Sequence, residues 1–339
     1  MEKYYITTPI YYVNDKPHIG HAYTTILADT ISRFRALIGE KPTFLTGLDE
    51  HGLKVQQAAE KNGKAPQDHC DSMAPAFIDL WKKLNINYSD FIRTTEHRHT
   101  KIVQQILTKV HESGDIYMDE YEGWYSISEE RFITEKELDS GQFGQVKQIK
   151  EKNYFFRMSK YQATLIDKIE KDELLIQPKS RKNEVLGFLK NELSDLCISR
   201  PKSRLEWGIE LPFDDNYVTY VWFDALINYI SAIGAYSNDE QFSSLWPADV
   251  HLIGKDILTT HSVYWPTMLL SLGLPLPQRI FAHGWWLTDD QKMSKSLGNV
   301  VSPLMLIDDF GVDSVRYYLM SEMVLGMDAT FSSESFEKK

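Results

Sequence analysis

The residues of this chain that are best suited to chemistry begin with His18-Ile19-Gly20-His21. Two imidazoles three residues apart lie on one face of a helix, and a helix N-terminus favours an anion through its unpaired N–H groups and its dipole. Gly20 removes a side chain where a flat group would approach the backbone. The pattern predicts a nucleotide site in which the imidazoles donate to phosphate oxygens. Taken alone, it is equally typical of a helix that starts with two surface histidines.

A second cluster, Lys292-Met293-Ser294-Lys295-Ser296, lies near the other end of the chain in a stretch rich in Ser, Gly and Asn. Two lysines three residues apart in such a loop can bring two cations to a polyphosphate from one side. In isolation the stretch is more typical of a solvated surface loop. Its presence in the same chain as the histidines strengthens the prediction of a polyphosphate site.

The elements around the histidines are a strand, a tight turn and a helix. Residues 4–13 are rich in Tyr, Ile, Thr and Val, which favours a buried strand. Residues 14–17 (NDKP) have turn chemistry, with Pro17 suited to the first turn of a helix. Apolar residues then recur at helical spacing from Ile19 to Leu37. The histidines are therefore predicted at the start of this helix.

A second strand is predicted at residues 42–46, and it leads into the sequence GLDEHG at residues 47–52. Strand, helix and strand of these lengths predict a parallel pair with a right-handed crossover. Ligands of such sheets bind beyond the carboxyl ends of the strands, where Asp49 would be well placed to hold a cation such as an α-ammonium group. An acid that caps the next helix is the alternative explanation for Asp49.

The predicted domain organisation has four parts. These are residues 1–114, the first half of a nucleotide-binding domain; residues 115–215, an insertion; residues 216–300, the second half of that domain; and residues 301–339, a linker region after the lysine loop. The insertion is predicted because this region breaks the alternation of strands and helices. The predicted fold is α/β, with a Rossmann-type, doubly wound parallel sheet split by an inserted connective-peptide domain.

Alternation is predicted to resume with a strand at residues 218–223, followed by a helix over about residues 225–236. A strand at residues 250–253 and a helix to about Leu272 come next. A further strand at residues 279–282 leads into the lysine loop. The second half of the domain would thus return the chain to the edge of the sheet where the histidines lie.

The composition of the chain limits the classes of protein to which it can belong. With 42% hydrophobic and 25% charged residues among 339, the chain is predicted to be soluble and globular, and no apolar run is long enough to cross a bilayer. Its two cysteines, Cys70 and Cys197, exclude a disulfide scaffold and suit a reducing compartment. The N-terminal sequence enters a strand directly, which predicts no signal or transit peptide. A cytoplasmic location is expected, and an organellar mature form, whose import signal would have been removed, is the alternative. The net charge of −11 means that a nucleic-acid partner would need a local basic patch or a basic domain elsewhere.

In this order, HIGH at residues 18–21 and KMSKS at residues 292–296 are the signature of the class I aminoacyl-tRNA synthetases, which this chain resembles. Further stretches are similar to motifs of the methionyl-tRNA synthetase family: TPIYYVN at residues 8–14, LDEHG at 48–52, YVWFDA at 220–225, and GKDI at 254–257 followed by His261 and Ser262. These motifs cover nearly the whole chain and are specific. The resemblance implies an enzyme that activates L-methionine with ATP and Mg²⁺ and transfers the methionyl group to tRNA(Met), with no membrane partner.

On the phosphate side, the resemblance implies four catalytic residues. His18 and His21 would contact the phosphates, while Lys292 and Lys295 would close over the pyrophosphate. Arg200, in the sequence ISRP, is a further candidate for a phosphate contact in the ATP site.

On the nucleoside side, the resemblance implies three residues. Gly20 would lie against the adenine. Gly254 and Asp256 would lie near the nucleoside, with Asp256 accepting hydrogen bonds from ribose hydroxyls.

For the amino acid, the resemblance implies a pocket of apolar and aromatic walls, which suits a flexible thioether. Its side-chain wall would be Ile10, Tyr12, Trp222, Ala225, Leu226, Tyr229, Ile257 and His261. Asp49 would pair with the α-ammonium group. Judged from residue types alone, Trp222 and Tyr229 are more typical of ordinary core packing.

The chain also departs from the family pattern. Many members carry Cys-rich zinc knuckles in the insertion, but this sequence has no Cys between residues 71 and 196, so no structural zinc is expected. An insertion of about 100 residues is small for a hydrolytic editing domain, so discrimination would depend on the methionine pocket. Family members continue into a helical domain that recognises the anticodon. Because this sequence stops near its start, we expect adenylate formation with poor charging of tRNA.

Three other hypotheses are kept open. Another class I synthetase, such as a cysteine enzyme, would be supported by a metal-bound selectivity site, whose cysteines are missing. A non-catalytic nucleotide-binding paralogue would not need all four of the histidines and lysines. The third is a general nucleotidyltransferase with an HxGH motif. The lysine loop fits that class less well than the pocket from Trp222 to Tyr229 fits methionine. Oligomeric state is not predicted by the sequence.

Overall fold

The computed structural model describes residues 2–126, 131–133, 138–139, 145–288, 291–292 and 301–338. Its strands are β1 Lys3–Tyr12, β2 Lys41–Asp49, β3 Asp90–Arg93, β4 Ile116–Ser126, β5 Arg131–Ile133, β6 Val146–Phe156, β7 Leu175–Gln177, β8 Leu196–Cys197, β9 Ser199–Pro201, β10 Glu210–Leu211, β11 Asp214–Thr219, β12 Val250–Gly254, β13 Arg279–His283, β14 Trp286–Thr288, β15 Gln291–Lys292 and β16 Ala329–Phe331. Its helices are α1 Ile19–Leu37, α2 Leu53–Lys61, α3 Pro66–Lys83, α4 His97–Glu112, α5 Gln162–Glu170, α6 Lys179–Phe188, α7 Val221–Leu226, α8 Asn228–Ser231, α9 Asp239–Leu245, α10 Trp265–Ser271, α11 Pro303–Phe310, α12 Val312–Glu322 and α13 Ser333–Glu337. Short 3-10 turns at Met158–Tyr161 and Lys255–Ile257 and a π-helical turn at Thr260–Tyr264 link some of them.

The main sheet has parallel strands in the order β3-β2-β1-β12-β13-β7. Residues 4–8 of β1 are all buried, as expected for a parallel strand covered on both faces. Pro9 has no N–H to donate, and the pairing of β1 with β2 shifts register between Thr7 and Ile10. The carboxyl ends of these strands meet at one edge of the sheet, so the predicted Rossmann-type α/β fold is confirmed.

Two apolar cores lie on the two faces of this sheet. One joins α1, α3 and α12 to the sheet and includes Tyr23, Phe77 and Tyr318. The other joins α4 and α10 to the sheet and to much of the insertion, and it includes Ile106 and Trp265. The helices thus cover both faces of the sheet and leave the carboxyl edge of the strands for a ligand.

The described strands between residues 115 and 215 form a mostly antiparallel unit that also contributes a strand to the main sheet. β4 and β6 pair along their whole lengths, and β5 and β8 flank them. β7 comes from the same region but pairs with β13 at the end of the main sheet. Asp115 accepts hydrogen bonds from Lys160, Tyr161 and Ser271, which tie the base of the unit to α10.

The strand predicted at residues 218–223 is confirmed for Val218 and Thr219 and wrong for the residues that follow. β11 ends at Thr219, and α7 begins immediately after it, so Trp222 and Phe223 are helical. β11 also belongs to a small antiparallel sheet with β9 and β10, so the parallel alternation resumes only at β12. Aromatic and β-branched residues favour a strand locally, but here they are buried by packing of a short helix against the core.

A small sheet in the order β15-β14-β16 joins the later part of the chain to the base of the lysine loop. β14 pairs antiparallel with β15 and parallel with β16. The backbone of Lys292 pairs with Leu287 in this sheet. Among the helices described, none is long and apolar enough to cross a membrane.

Candidate active site

A cavity of about 420 Å³ opens beyond the carboxyl ends of the strands of the main sheet. This volume is within the range of small-molecule sites. The strand ends and the first turn of α1 form one side of the cavity, while α7 and α8 form another. The cavity therefore lies where parallel α/β sheets usually bind their ligands.

His18 and His21 use one nitrogen each to start α1. The Gly20 N–H donates to His18 Nδ1 at 3.0 Å, and the His18 N–H donates to His21 Nδ1 at 3.1 Å. A neutral imidazole that accepts at Nδ1 carries its proton on Nε2. The capping bonds therefore select, for each ring, the tautomer that can donate from Nε2.

The charge of His21 is also defined by its surroundings. Burial, together with the nearby His18, lowers the pKa of His21 well below its usual range. The two rings lie 4.0 Å apart between centroids. A side chain at position 20 would collide with the folded-back ring, because a Cβ there would lie 2.9 Å from His18 Cε1. Gly20 thus allows the cap that fixes both imidazoles.

The end of β12 brings Asp256 to the same cavity. A Cβ at Gly254 would lie 2.6 Å from Asp256 Oδ1, so only glycine lets this carboxylate lie against the backbone. The indole N–H of Trp285 donates to Asp256 Oδ1 at 3.2 Å. Lys255 lies over the Trp285 ring and pairs with Asp328 at 2.7 Å. The geometry provides an exposed carboxylate next to open backbone, which suits a hydroxylated ring.

His283 connects α1 to the end of β13. Its Nδ1–H donates to the Gly284 carbonyl at 2.7 Å, so its Nε2 accepts from the Thr24 hydroxyl, also at 2.7 Å. Burial lowers the pKa of His283. A neutral ring therefore holds the first turns of α1 against the end of the sheet.

The opposite wall of the cavity is apolar and aromatic. The Tyr229 hydroxyl donates to His261 Nε2 at 2.7 Å, and His261 Nδ1–H donates to the Ile257 carbonyl at 2.9 Å. Burial lowers the pKa of His261 to about 4 and raises that of Tyr229 well above its usual range. Both groups are therefore neutral at physiological pH. Trp222, with its ring centroid 6.4 Å from that of His261, adds a further aromatic surface.

Asp49 supplies a carboxylate to this wall. It is the last residue of β2 and is only 3% exposed, yet it lines the cavity. A buried carboxylate favours a cationic ligand, because burial removes much of the solvation of its charge. One cavity thus combines imidazole donors, an exposed carboxylate, a buried carboxylate and an apolar wall.

A family model described as tRNA synthetases class I (M) matches residues 4–142 and 139–339. This chain belongs to that family. The methionine–tRNA ligase of Clostridium tetani is 52% identical over 342 residues, which cover 99% of this chain and 53% of the relative. That of Clostridium acetobutylicum is also 52% identical, covering 100% of this chain and 53% of the relative. The chain thus spans about half the length of the curated relatives it matches.

Solved structures of this class I synthetase family agree with the fold. The structure of Mycobacterium tuberculosis methionyl-tRNA synthetase in complex with methionyl-adenylate has a TM-score of 0.95 and 42% identity, covering 100% of this chain and 68% of that chain. The free-state structure of the same Mycobacterium tuberculosis protein has a TM-score of 0.81 and 39% identity, covering 99% of this chain and 65% of that chain.

Most residues predicted for the synthetase site line the one cavity. They are Ile10, Tyr12, His18, Gly20, His21, Asp49, Trp222, Ala225, Leu226, Tyr229, Gly254, Asp256, Ile257 and His261. Their individual roles stay predictions. Lys295 lies outside the described residues, and for Lys292 the structure describes only the backbone.

Arg200 is not brought to this cavity. It is 3% exposed and lies in a separate small pocket, where its guanidinium is 4.6 Å from the Tyr220 ring and 5.4 Å from the Tyr125 ring. Its Nη1 donates to the Ser199 carbonyl at 2.6 Å. There Arg200 stacks on Tyr125 of β4 and on Tyr220, the residue before α7, because planar guanidinium groups stack well on aromatic rings. Its phosphate contact stays a prediction.

Several cavity residues were missed by sequence reasoning. Thr24, Asn228 and Trp285 all line the cavity. Thr24 is one turn after Gly20 on α1, so helical periodicity could have identified it. Asn228 depends on the break between α7 and α8, where its amide donates to the Ala225 carbonyl at 2.7 Å. No local pattern predicts that break.

Proposed function

We propose that this chain activates L-methionine with ATP to give methionyl-adenylate and pyrophosphate. The observation that supports this most strongly is the single cavity that joins the imidazoles of α1 to Asp49 and the apolar wall. A nucleotide entering on one side would meet an amino acid held on the other. Reactants brought together in this way lose much of the entropic barrier to reaction.

In the proposed reaction, a carboxylate oxygen of methionine attacks the α-phosphorus of ATP and pyrophosphate leaves. No side-chain nucleophile is needed, so the protein aligns the reactants and stabilises negative charge on the phosphate oxygens. His18 and His21 would donate from Nε2 to those oxygens. Lys292 and Lys295 would add positive charge from their loop.

Asp256 and the glycines would serve the nucleoside. Asp256 would accept from ribose hydroxyls, Gly254 would leave room beside it, and Gly20 would lie near the base. Mg²⁺ would enter with ATP as the counter-ion of the polyphosphate. Within the described ranges, no group of three or more His, Cys, Asp or Glu side chains is placed to hold a metal ion. The absence of a structural zinc stays a prediction.

Methionine would be recognised at both of its ends. Asp49 would pair with the α-ammonium group, and the neutral Tyr229 and His261 would face the thioether beside Trp222 and Ile257. One missing methyl group is worth only about 1–3 kcal/mol in such a pocket. We therefore expect homocysteine to be the competitor that is hardest to reject.

The remaining parts of the proposal concern the longer protein. Because the curated relatives are about twice as long, we propose that transfer of the methionyl group to tRNA(Met) belongs to the whole protein and that these 339 residues alone charge tRNA poorly. A cytoplasmic location is proposed with it. The backbone as a whole is more similar to the methionyl-adenylate complex, with a TM-score of 0.95, than to the free-state structure, with a TM-score of 0.81.

The test is exchange of labelled pyrophosphate into ATP without tRNA, with methionine, cysteine, leucine and homocysteine as alternative amino acids. Exchange that depends on methionine and exceeds the others would support the proposal. Exchange driven by another amino acid would keep the chemistry but reject the assignment of the pocket. A folded protein that binds ATP but gives no exchange would favour a non-catalytic nucleotide-binding protein.

A further inference from the structure

Asp224 is a buried carboxylate that the proposed reaction does not use. It is 1% exposed and lies on α7, the short helix whose Trp222, Ala225 and Leu226 line the cavity. Asp224 itself does not line the cavity. Its two oxygens are instead engaged by histidines from two other parts of the fold.

Both contacts are short and well defined. His51 Nδ1 lies 2.6 Å from Asp224 Oδ2, and His99 Nε2 lies 2.6 Å from Oδ1. Because a carboxylate accepts, each histidine donates from the nitrogen that faces it. His99 in its neutral form then accepts at Nδ1 from the Ser231 hydroxyl, 2.8 Å away. Although burial opposes ionisation, His51 and His99 lower the pKa of Asp224 to about 2, so the carboxylate is charged.

These bonds connect the two ends of the amino-acid pocket. His51 follows Asp49 by two residues, so the carboxylate proposed to bind the ammonium group and the imidazole bound to Asp224 share one short segment. On the other side, Ser231 belongs to α8, which carries Tyr229 into the cavity wall. Asp224 therefore links the segment of Asp49 with the helices that form the apolar wall.

Burying a charged group is an inefficient way to increase the stability of the fold. A buried ionic cluster often contributes no more to stability than apolar residues of similar volume would. What directed hydrogen bonds add is a fixed relative position of the elements that they join. The distance between Asp49 and the apolar wall is also the dimension that an amino acid of given length must match.

We propose that Asp224, through His51 and His99, is a positioning residue that sets the distance between Asp49 and the apolar wall, and so determines affinity for methionine and rejection of shorter or longer side chains. The inference rests on the proposed methionine activation. Because the linked elements form the amino-acid half of the cavity, the nucleotide half is independent of Asp224.

The first variant is Asp224→Asn, measured by pyrophosphate exchange at varied methionine and varied ATP. An amide cannot accept from both histidines in their present tautomers, so one link is lost while the volume is kept. We expect KM for methionine to rise about 10- to 100-fold, since small misplacements in a site have effects of this size. KM for ATP should change by less than about twofold. The preference for methionine over homocysteine and norleucine should fall.

A pair of variants at His51 distinguishes an effect on the position of the pocket walls from an effect on folding. The amide nitrogen of Asn can replace Nδ1 of histidine, so His51→Asn retains the donor to Asp224, whereas His51→Phe removes it. We expect His51→Asn to keep a nearly normal KM for methionine and His51→Phe to reproduce the Asp224→Asn defect. This pair decides the question even where Asp224→Asn fails to fold.

The control is Asp29→Asn. Asp29 is a fully buried carboxylate held by Arg33 and Arg316, and it does not line the cavity. Its loss should lower stability and leave KM for methionine unchanged. If Asp224→Asn and His51→Phe only lower stability in the same way as Asp29→Asn, the inference is rejected while the proposed function stands. If the unmodified protein shows no methionine-dependent exchange, the proposed function is rejected and this inference with it.

Discussion

His18 and His21 each use Nδ1 to cap the helix on which they stand, and this leaves Nε2 as the N–H of the neutral ring. The helix start and the proposed chemistry are thus served by opposite nitrogens of the same side chains. Each histidine therefore has two roles: Nδ1 caps the helix and Nε2 is the proposed donor to phosphate. Substitutions that replace only one of the two nitrogens can separate these roles.

His21→Asn and His21→Gln make this separation. The Asn oxygen can still accept the His18 N–H but offers no donor where Nε2 was, whereas the Gln amide replaces the donor and gives up the cap. We expect His21→Asn to slow adenylate formation by about 100-fold, the usual effect of losing one donor to a developing oxyanion. His21→Gln should be slowed less but should unfold more easily. Single-turnover kinetics and thermal unfolding of both variants give the comparison, and equal rates for the two would contradict it.

Asp49→Asn tests the proposed ammonium contact. The substitution keeps the shape of the side chain but removes the buried charge, so KM for methionine should rise by about tenfold or more while KM for ATP stays nearly constant. Initial rates of pyrophosphate exchange at varied substrate provide the measurement. The matched control is Asp313→Asn, since Asp313 is on the first turn of α12 and does not line the cavity. An equal rise in both KM values for Asp49→Asn would argue against a specific ammonium contact.

Single residues of the site were largely predictable because they occur in short motifs with distinctive chemistry. Asp49 and the two histidines come from such motifs, and the cavity includes all three. The pocket in which Arg200 lies was not predictable, because a basic side chain near motif residues says nothing about which way it points. Its partners, Tyr125 and Tyr220, lie 75 residues before it and 20 residues after it, so their stacking on it is a tertiary property.

Among the elements, the loop between β13 and β14 is held unusually close to the segment before β16. A Cβ at Gly284 would lie 2.0 Å from the Met327 carbonyl oxygen. Next to it, the Trp285 N–H donates to Asp328 Oδ1 at 2.8 Å, and Asp328 also pairs with Lys255. The later part of the chain thus supports the residues around Asp256.

Gly284→Ala should force these two segments apart. We expect a loss of about 2 kcal/mol or more in the free energy of unfolding, together with a higher KM for ATP because Lys255 and Trp285 lose their support. Gly187→Ala is the matched control, because Gly187 lies within α6 and a Cβ there would meet nothing within 4 Å. That change should stabilise the protein by up to about 1 kcal/mol. Urea unfolding of both variants makes the measurement, and a neutral Gly284→Ala would show that the approach is less close than described.

Elements with long, regular patterns were predicted well, and those decided by packing were not. α1 was predicted to end at Leu37 and does so, because its apolar spacing is sustained over many turns. Pro17 lies just before the cap and not in the first turn, because His18 itself caps the helix. Residues 221–223 carry strand-forming side chains but belong to a helix, since their neighbours in space bury Val221 and Phe223 in that form.

Across the whole molecule, the sheet and its two covering layers bury several histidines in neutral form. Burial lowers the pKa values of His21, His251, His261 and His283. In an unfolded chain these imidazoles would have their ordinary pKa of about 6.5. Below that pH the unfolded chain takes up protons that the folded protein does not bind, so the folded state loses stability as the pH falls.

The free energy of unfolding should therefore be highest above about pH 6.5 and fall steadily towards pH 4. For His261, whose folded pKa is about 4, the loss between pH 7.5 and pH 5 should be about 2 kcal/mol. Urea unfolding at a series of pH values measures it. In the variant His261→Gln, which has no titrating group at that position, the curve should be shallower by about the same amount. A stability that is flat between pH 7.5 and 5 would contradict the assignment of neutral buried histidines.

The strand order of the main sheet has a consequence for synthesis. β7 is made from residues 175–177, yet its neighbour β13 is made from residues 279–283, and β12 lies between β1 and β13 in the sheet. A ribosome that builds the chain from its N-terminus releases β7 long before the strands that connect it to β1. Until β13 has left the exit tunnel, the insertion is attached to an unfinished sheet. Proteases added to ribosomes stalled at successive lengths should therefore cut the insertion until β13 emerges, and then abruptly stop.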